Sequence, residues 1–101
     1  MTETVGPMFN PPHPGEFITS AYLVPLDISA RTLASACGVA VTSVTRILNG
    51  EARVTPEMAV RLEKALGRSA KSWLNMQNNY DLWHIGDSVN LDALAKIPAL
   101  V

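Results

Sequence analysis

Cysteine is nearly absent from this sequence, histidine occurs only twice, and there is no long apolar run. A single cysteine, Cys37, excludes a disulfide within the chain and suits a reducing cytoplasm, so we interpret it as a small core residue. No apolar run approaches the roughly 20 residues of a membrane-spanning helix. Residues 1–16 also lack the basic and apolar regions of a secretory signal. We therefore expect a cytoplasmic protein with one small core.

Residues of the kinds that perform catalysis or bind metals are also scarce. There is no glycine-rich phosphate loop, and two histidines do not assemble into a plausible Ser/His/Asp or Cys/His set. His13 and Glu16 lie three residues apart, but nothing nearby supplies a third and a fourth metal ligand. We interpret His84 as an ordinary surface or packing residue. The sequence therefore predicts no enzyme, no bound metal and no cofactor.

The net charge is only −1, yet the charges are unevenly distributed. Residues 28–71 carry seven basic and three acidic side chains, a net charge of +4. The rest of the chain carries one lysine and six acidic residues, which are Glu3, Glu16, Asp27, Asp81, Asp87 and Asp92. A basic centre indicates a surface that faces a polyanion, and acidic flanks suit another partner, although an ordinary solvated surface also gives such a distribution.

Caps and apolar spacing predict three short helices in the first half of the chain. The first begins at Pro14 with an apolar stripe behind it, and we expect Pro25 to end it. Ser29 is a good N-cap for the second helix, which should end before Gly38. The third covers residues 41–48, where valine, isoleucine and leucine recur at helical spacing.

Two further helices are predicted in the second half, and no strand is predicted anywhere. Thr55 caps the fourth helix, which should end at Gly67, and Ser69 caps the fifth. The fifth carries an aromatic and apolar stripe, formed by Trp73, Met76, Tyr80 and Trp83. Beyond it, the apolar residues after Asn90 allow a helical turn or two before Pro98 stops them.

The second and third helices have the spacing of a helix-turn-helix, with Gly38 in the turn. Ala34 is small enough for the two helices to approach closely, and Val39 fills the angle between them. A helix held in this way shows its N-terminal half outward, as recognition helices do in the major groove. The pattern alone is only moderately specific, because amphipathic helix pairs often imitate it.

Five blocks of sequence occur together here: HPGEFI (13–18), LASACGV (33–39), RILNG (46–50), VTPEMAVRLEKALG (54–67) and SWLNMQNNYDL (72–82). Together they resemble the HigA-type antitoxins, the antidote halves of bacterial toxin–antitoxin modules within the helix-turn-helix class that includes the phage repressors. One departure is Ala40, which stands where the family usually has Ser or Thr. A missing cap of this kind costs about 1 kcal/mol and a possible phosphate contact.

The resemblance covers roughly residues 12–83 and implies an all-α, five-helix, lambda-repressor-like fold. The expected organisation is an N-terminal extension at 1–12, a DNA-binding and dimerisation domain at 13–83, and a tail at 84–101.

The resemblance also implies a DNA surface on and beside the third helix. Val41 and Thr42 match positions that reach base edges in this class. Arg46, on the same face as Thr42, either reads guanine through O6 and N7 or binds a phosphate. The other candidates supply phosphate contacts or charge, and the full set is Ser29, Arg31, Val41, Thr42, Ser43, Thr45, Arg46 and Arg53.

The implied partners are operator DNA, a second copy of the chain, and a HigB-type toxin, a small basic ribonuclease that cleaves messenger RNA in association with the ribosome. The candidate dimer interface is Trp73, Tyr80, Leu82 and Trp83, of which we expect Trp73 to pack inward. For the toxin we favour the acidic N-terminal side, with Glu16, Phe17, Tyr22 and Asp27. Two alternatives stay open: a stand-alone transcriptional regulator, and a protein-binding module that has lost DNA binding.

Overall fold

The computed structural model describes residues 10–86 and 88–100, and its regular elements are all helical. Helix α1 consists of an α-helical part, Pro14–Ile18, a π-helical part, Thr19–Leu23, and a last α-helical turn, Val24–Leu26. The other four are α2 (Ala30–Cys37), α3 (Val41–Leu48), α4 (Pro56–Leu66) and α5 (Ala70–Ile85). The prediction of an all-α fold with five helices is confirmed.

The segment after α5 contains two single turns of 3-10 helix, Leu91–Ala93 and Pro98–Leu100. Pro98 begins the second turn, where we expected it to stop a helix. Glu3, Asp87 and most of the extension at 1–12 lie outside the described residues. Within the described ranges, no helix is both long enough and apolar enough to cross a membrane.

Side chains cap the helices at the predicted places. The hydroxyls of Ser29, Thr55 and Ser69 accept hydrogen bonds from backbone N–H groups three residues ahead, at 3.1, 3.2 and 3.1 Å. Ala40 gives α3 no such side-chain cap. The first turn of α3 therefore lacks the stabilisation that the other helices receive.

Helix α1 continues past Pro25, so the prediction that this proline ends the helix was wrong. Proline removes one N–H group, and its ring crowds the carbonyl of the preceding turn. The preceding turn is π-helical, with the Val24 N–H bonded to the Thr19 carbonyl five residues back. This wider turn accommodates the ring, and α1 ends only after Leu26, where Asp27 adopts a left-handed conformation with φ of 54°.

Trp73 lies at the centre of the core, with no exposed surface. The rings of Phe17 and Tyr22 lie against it, with centroids 6.0 and 6.2 Å from that of the indole. Trp73 therefore packs inward, and its inclusion in the candidate dimer interface was wrong, because its side chain is fully buried within one protomer. Cys37 is also buried, which raises the pKa of its thiol although Arg61 acts in the opposite direction.

The start of α1 is packed tightly onto the end of α3. His13 caps α1, because its Nδ1 accepts a hydrogen bond from the Gly15 N–H at 2.9 Å. The rings of His13 and Tyr80 form an edge-to-face contact, with their centroids 4.9 Å apart. Gly15 lies so close to α3 that a Cβ atom there would be 1.9 Å from the carbonyl oxygen of Ile47. The HPGE block thus makes the backbone contact that holds the end of α3.

His13, which lies one turn before Glu16, serves as a helix cap in this arrangement. The Nδ1 atom of His13 is already used by the Gly15 amide. Among residues 10–86 and 88–100, no group of three or more His, Cys, Asp or Glu side chains is placed to hold a metal ion.

Replacing Gly15 by Ala should strongly destabilise the protein, because the added methyl group would collide with backbone atoms of α3 that have little freedom to move. We expect the free energy of unfolding to fall by about 3 kcal/mol or more, at the upper end of overpacking effects. Chemical denaturation followed by helical circular dichroism measures this. Gly86→Ala is the matched control, since its Cβ would have no neighbour closer than 3.5 Å. Equal stability of the two variants would contradict the tight contact.

Stability should also depend on the protonation of His13. Burial lowers the pKa of this imidazole from 6.5, while a hydrogen bond with the Ala52 backbone and the charges of Asp81 and Glu16 oppose the shift. The unfolded chain then binds the proton more readily than the folded chain. The stabilisation is complete above pH 6.5 and is lost as the pH falls from there towards the folded-state pKa.

Denaturation midpoints measured between pH 7.5 and 5.5 test this dependence. His13→Asn retains a side chain that caps helices well but does not titrate. We therefore expect the stability of this variant to change less over that interval than the stability of the wild type. An unchanged pH dependence in His13→Asn would assign the effect to other groups.

Candidate nucleic-acid interface

Helices α2 and α3 form the predicted helix-turn-helix. Gly38 ends α2 in a left-handed conformation with φ of 71°, and the Val39 N–H donates to the Ala34 carbonyl at 3.0 Å. Val44 and Ile47, on the inner side of α3, are buried. These contacts fix α3 from beneath, so its remaining side chains face outward.

Arg61 on α4 secures the turn between the two helices. Its Nη1 donates to the Cys37 carbonyl at 2.8 Å and to the Gly38 carbonyl at 3.3 Å, and its Nη2 pairs with Glu57 at 2.9 Å. Arg61 thus satisfies carbonyl groups that the end of α2 leaves unpaired. Sequence reasoning counted it only as part of the basic centre, since the spacing of Glu57 and Arg61 indicates a helical pair and nothing more.

The outward face of α3 presents Thr42, Ser43 and Arg46, all three of them exposed. The side chain of Arg46 has no hydrogen-bond or ion-pair partner within the described part of the chain. Val41 is half-buried and packs against the core. The Thr45 hydroxyl donates to the Thr42 carbonyl at 3.2 Å, so its one proton is already used and it is a poor phosphate donor in this conformation.

A shallow groove runs between α3 and the start of α4. It brings together two of the predicted DNA-binding arginines, Arg46 and Arg53, with Ser43 at its edge. Arg53 also forms an ion pair with Asp81 on α5, with Nη2 and Oδ2 2.5 Å apart. Apolar side chains form its floor, and its one carboxylate, Glu57, is paired with Arg61. The basic and hydroxyl groups along it are suited to a phosphate backbone.

Ser29 and Arg31 belong to α2 and not to this groove. The Ser29 hydroxyl accepts from the Thr32 N–H and donates to Thr32 Oγ1 at 3.0 Å, so both functions are used within the helix start. Arg31 is exposed. Of these two, the arginine is the one whose side chain remains available to DNA.

The residues assigned to a dimer interface differ in their exposure. Leu82 is 69% exposed, whereas Tyr80 is half-buried between the rings of His13 and His84, 4.9 and 4.3 Å away. Trp83 is half-buried. Ile85, which sequence reasoning did not select, is 53% exposed close to Leu82 and makes this end of α5 apolar.

The residues assigned to toxin binding do not form one patch. Glu16 and Asp27 are both exposed but lie at opposite ends of α1, separated by roughly 16 Å of helix. The guanidinium of Arg68 covers Phe17, 4.8 Å from its ring centroid, so a cation lies on that side of the helix. The last turn of α1 is instead openly apolar, with Val24 72% and Leu26 61% exposed.

Comparison with known proteins identifies the family. The helix-turn-helix model HTH_3 matches residues 20–73, more than half of the chain. The chain belongs to this helix-turn-helix family. It is 37% identical to the uncharacterized HTH-type transcriptional regulator YddM of Escherichia coli K12 over 90 residues, which cover 89% of this chain and 95% of YddM. It is 38% identical to antitoxin HigA-1 of Vibrio cholerae over 69 residues, which cover 68% of this chain and 65% of HigA-1.

The fold is similar to that of a HigA antitoxin seen with DNA. The structure of Pseudomonas aeruginosa antitoxin HigA with the higBA promoter superposes with a TM-score of 0.78 and 31% identity, covering 86% of this chain and 95% of that one. HigA-type antitoxins and addiction-module antidotes are among the relatives and structural neighbours of the chain. The predicted resemblance is confirmed, and it places the chain among DNA-binding proteins and not among enzymes.

Proposed function

We propose that this chain is the antitoxin of a type II toxin–antitoxin module, which represses its own operon as a dimer and neutralises a HigB-type toxin in the cytoplasm. The observation that carries the proposal is the outward face of α3, where exposed Thr42, Ser43 and Arg46 lie on a helix held rigidly from beneath. The likeness to a HigA antitoxin with the higBA promoter supports the same conclusion.

Arg46 is the proposed direct reader of a base. Its planar guanidinium matches O6 and N7 of guanine, and no described side chain competes for it. Thr42, one turn earlier on the same face, suits a base edge or a thymine methyl group. Ser43, Arg53 and Arg31 would position the protein through phosphates.

Dimerisation follows from the small size of the reading helix. A helix of eight residues contacts few base pairs, so two copies on half-sites about 34 Å apart supply the affinity and the symmetry. We assign the interface to the exposed apolar end of α5, with Leu82 and Ile85. Trp83 and Tyr80 border this surface.

The toxin surface is proposed on α1, at the end away from α3. Exposed Val24 and Leu26 provide apolar contacts there, and Asp27 provides a negative charge for a basic partner. Tyr22 borders this surface, while Glu16 and Phe17 lie nearer the N-terminal end of the helix. Inhibition would come from covering the toxin or holding it away from the ribosome, and not from chemistry in this chain.

A stand-alone transcriptional regulator is the second candidate. The match to YddM, an uncharacterized HTH-type transcriptional regulator, covers 95% of YddM. The gene beside that of this chain distinguishes the candidates, since an antitoxin requires a short basic reading frame next to its own.

Replacing Arg46 by Ala should weaken operator binding by about 1–3 kcal/mol and relax specificity at one base pair in each half-site. Replacing Arg53 by Ala should instead weaken binding to all sequences alike and lower the salt dependence by about one phosphate contact. Gel shifts with the DNA upstream of the gene, with base-substituted versions and with random DNA measure both effects. Lys71→Ala, which removes the same charge from the start of α5, is the control. Equal losses on operator and random DNA for Arg46→Ala would make Arg46 a phosphate contact.

Co-expression with the adjacent basic reading frame tests the toxin assignment. We expect its product to be toxic alone, to be harmless with this chain, and to co-purify with it. Leu26→Lys should weaken capture about tenfold, because it removes an apolar contact and adds a charge that repels a basic partner. Val60→Lys, at a position with the same 61% exposure on α4, should not.

Two results would refute the antitoxin proposal. One is a neighbouring product that is harmless by itself. The other is a product that stays toxic in the presence of this chain and does not co-purify with it. Either result would leave the stand-alone regulator as the function of the chain.

A further inference from the structure

A network of polar contacts links α5 to the loop after α3. Gln77 is 1% exposed, and its Oε1 accepts the backbone N–H of Val54 at 2.7 Å. Its Nε2 donates to Oδ1 of Asp81 at 3.0 Å. The other carboxylate oxygen of Asp81 accepts a hydrogen bond from Arg53 Nη2 at 2.5 Å. Two consecutive residues of the loop, Arg53 and Val54, are therefore tied to one face of α5.

This arrangement fixes one edge of the Arg53 guanidinium and leaves the rest open. A guanidinium has five N–H donors, and the contact with Asp81 uses the Nη2 end. The side chain of Arg53 is 57% exposed, and it shares the groove beside α3 with Ser43 and Arg46. Arg53 thus reaches this groove with donors to spare, and the ion pair with Asp81 restrains its orientation.

We infer that Asp81 is a positioning residue for operator binding: it holds Arg53 beside Arg46 so that Arg53 meets a phosphate in a single register. The inference rests on the proposed binding of operator DNA. The carboxylate of Asp81 also repels DNA, but the Arg53 guanidinium lies between the two anions and solvent screens the remainder. An arginine that is already ordered loses less side-chain entropy when it binds, and positioning therefore outweighs repulsion.

A double-mutant cycle on operator affinity separates positioning from charge. Asp81→Asn keeps the shape and an acceptor for Gln77 but removes the charge that orders Arg53. With Arg53 present, we expect Asp81→Asn to weaken operator binding about fivefold and to lower its salt dependence towards that of Arg53→Ala. With Arg53 replaced by Ala, the same change should not weaken binding, since only the repulsion remains to be removed.

One control variant and two contrary outcomes make the result decisive. Asp92→Asn, in the exposed turn after α5, removes the same charge and should leave operator affinity unchanged. Stronger binding for Asp81→Asn, of equal size in both Arg53 backgrounds, would overturn the inference and leave Asp81 as a simple repulsive charge. A loss of affinity that is equal in both backgrounds and accompanied by a lower melting temperature would show a purely structural role, and would also overturn it.

A failure of the proposed operator binding can be told apart from a failure of the positioning role. If wild-type protein does not bind the upstream DNA at all, operator binding itself is refuted, and the inference is refuted with it. If the wild type binds and the cycle shows no coupling between Asp81 and Arg53, operator binding stands and only the positioning role is refuted.

Discussion

The position of α3 depends on a backbone contact between Gly15 and the carbonyl group of Ile47. An eight-residue helix is too short to be stable by itself in water, so tertiary packing must supply its stability and orientation. Buried Val44 and Ile47 hold α3 from below, and α1 closes over its C-terminal end. Because α3 has no side-chain cap at Ala40, its stability depends more on tertiary packing than the stability of the other helices does.

Polar side chains from later helices hold both loops that flank α3. Arg61 binds the carbonyls of the turn before it, and Gln77 binds the amide of Val54 after it. Backbone groups in irregular segments need partners outside the helices, above all where they are buried, as the Val54 amide is, and these two side chains supply them. The outward side chains of α3, such as those of Thr42 and Arg46, are consequently not needed to hold the helix in place.

Local signals in the sequence predicted the helices well, and long-range contacts could not be predicted. Ser29, Thr55 and Ser69 cap their own helices, which is information contained within four residues. The bonds of Arg61 to Cys37 and of Arg53 to Asp81 span 24 and 28 residues, and no spacing rule connects such partners. The apolar inner positions of α3 allowed the candidate DNA face to be predicted. The ion pair that restrains Arg53 could not be predicted in the same way. Trp73 was expected to pack inward and does so, but an aromatic stripe does not reveal that burial leaves none of its side chain for a dimer interface.

The π-helical part of α1 changes the direction, around the helix axis, in which the residues after it point. In an uninterrupted α-helix, two residues five apart are separated by about 140° around the axis. Phe17 and Tyr22 are five apart, yet their ring centroids lie 6.2 Å from each other, and both rings meet Trp73. The π turn therefore acts as a one-residue insertion that is absorbed within the helix. It keeps one continuous helix in phase with the core on both sides of the turn.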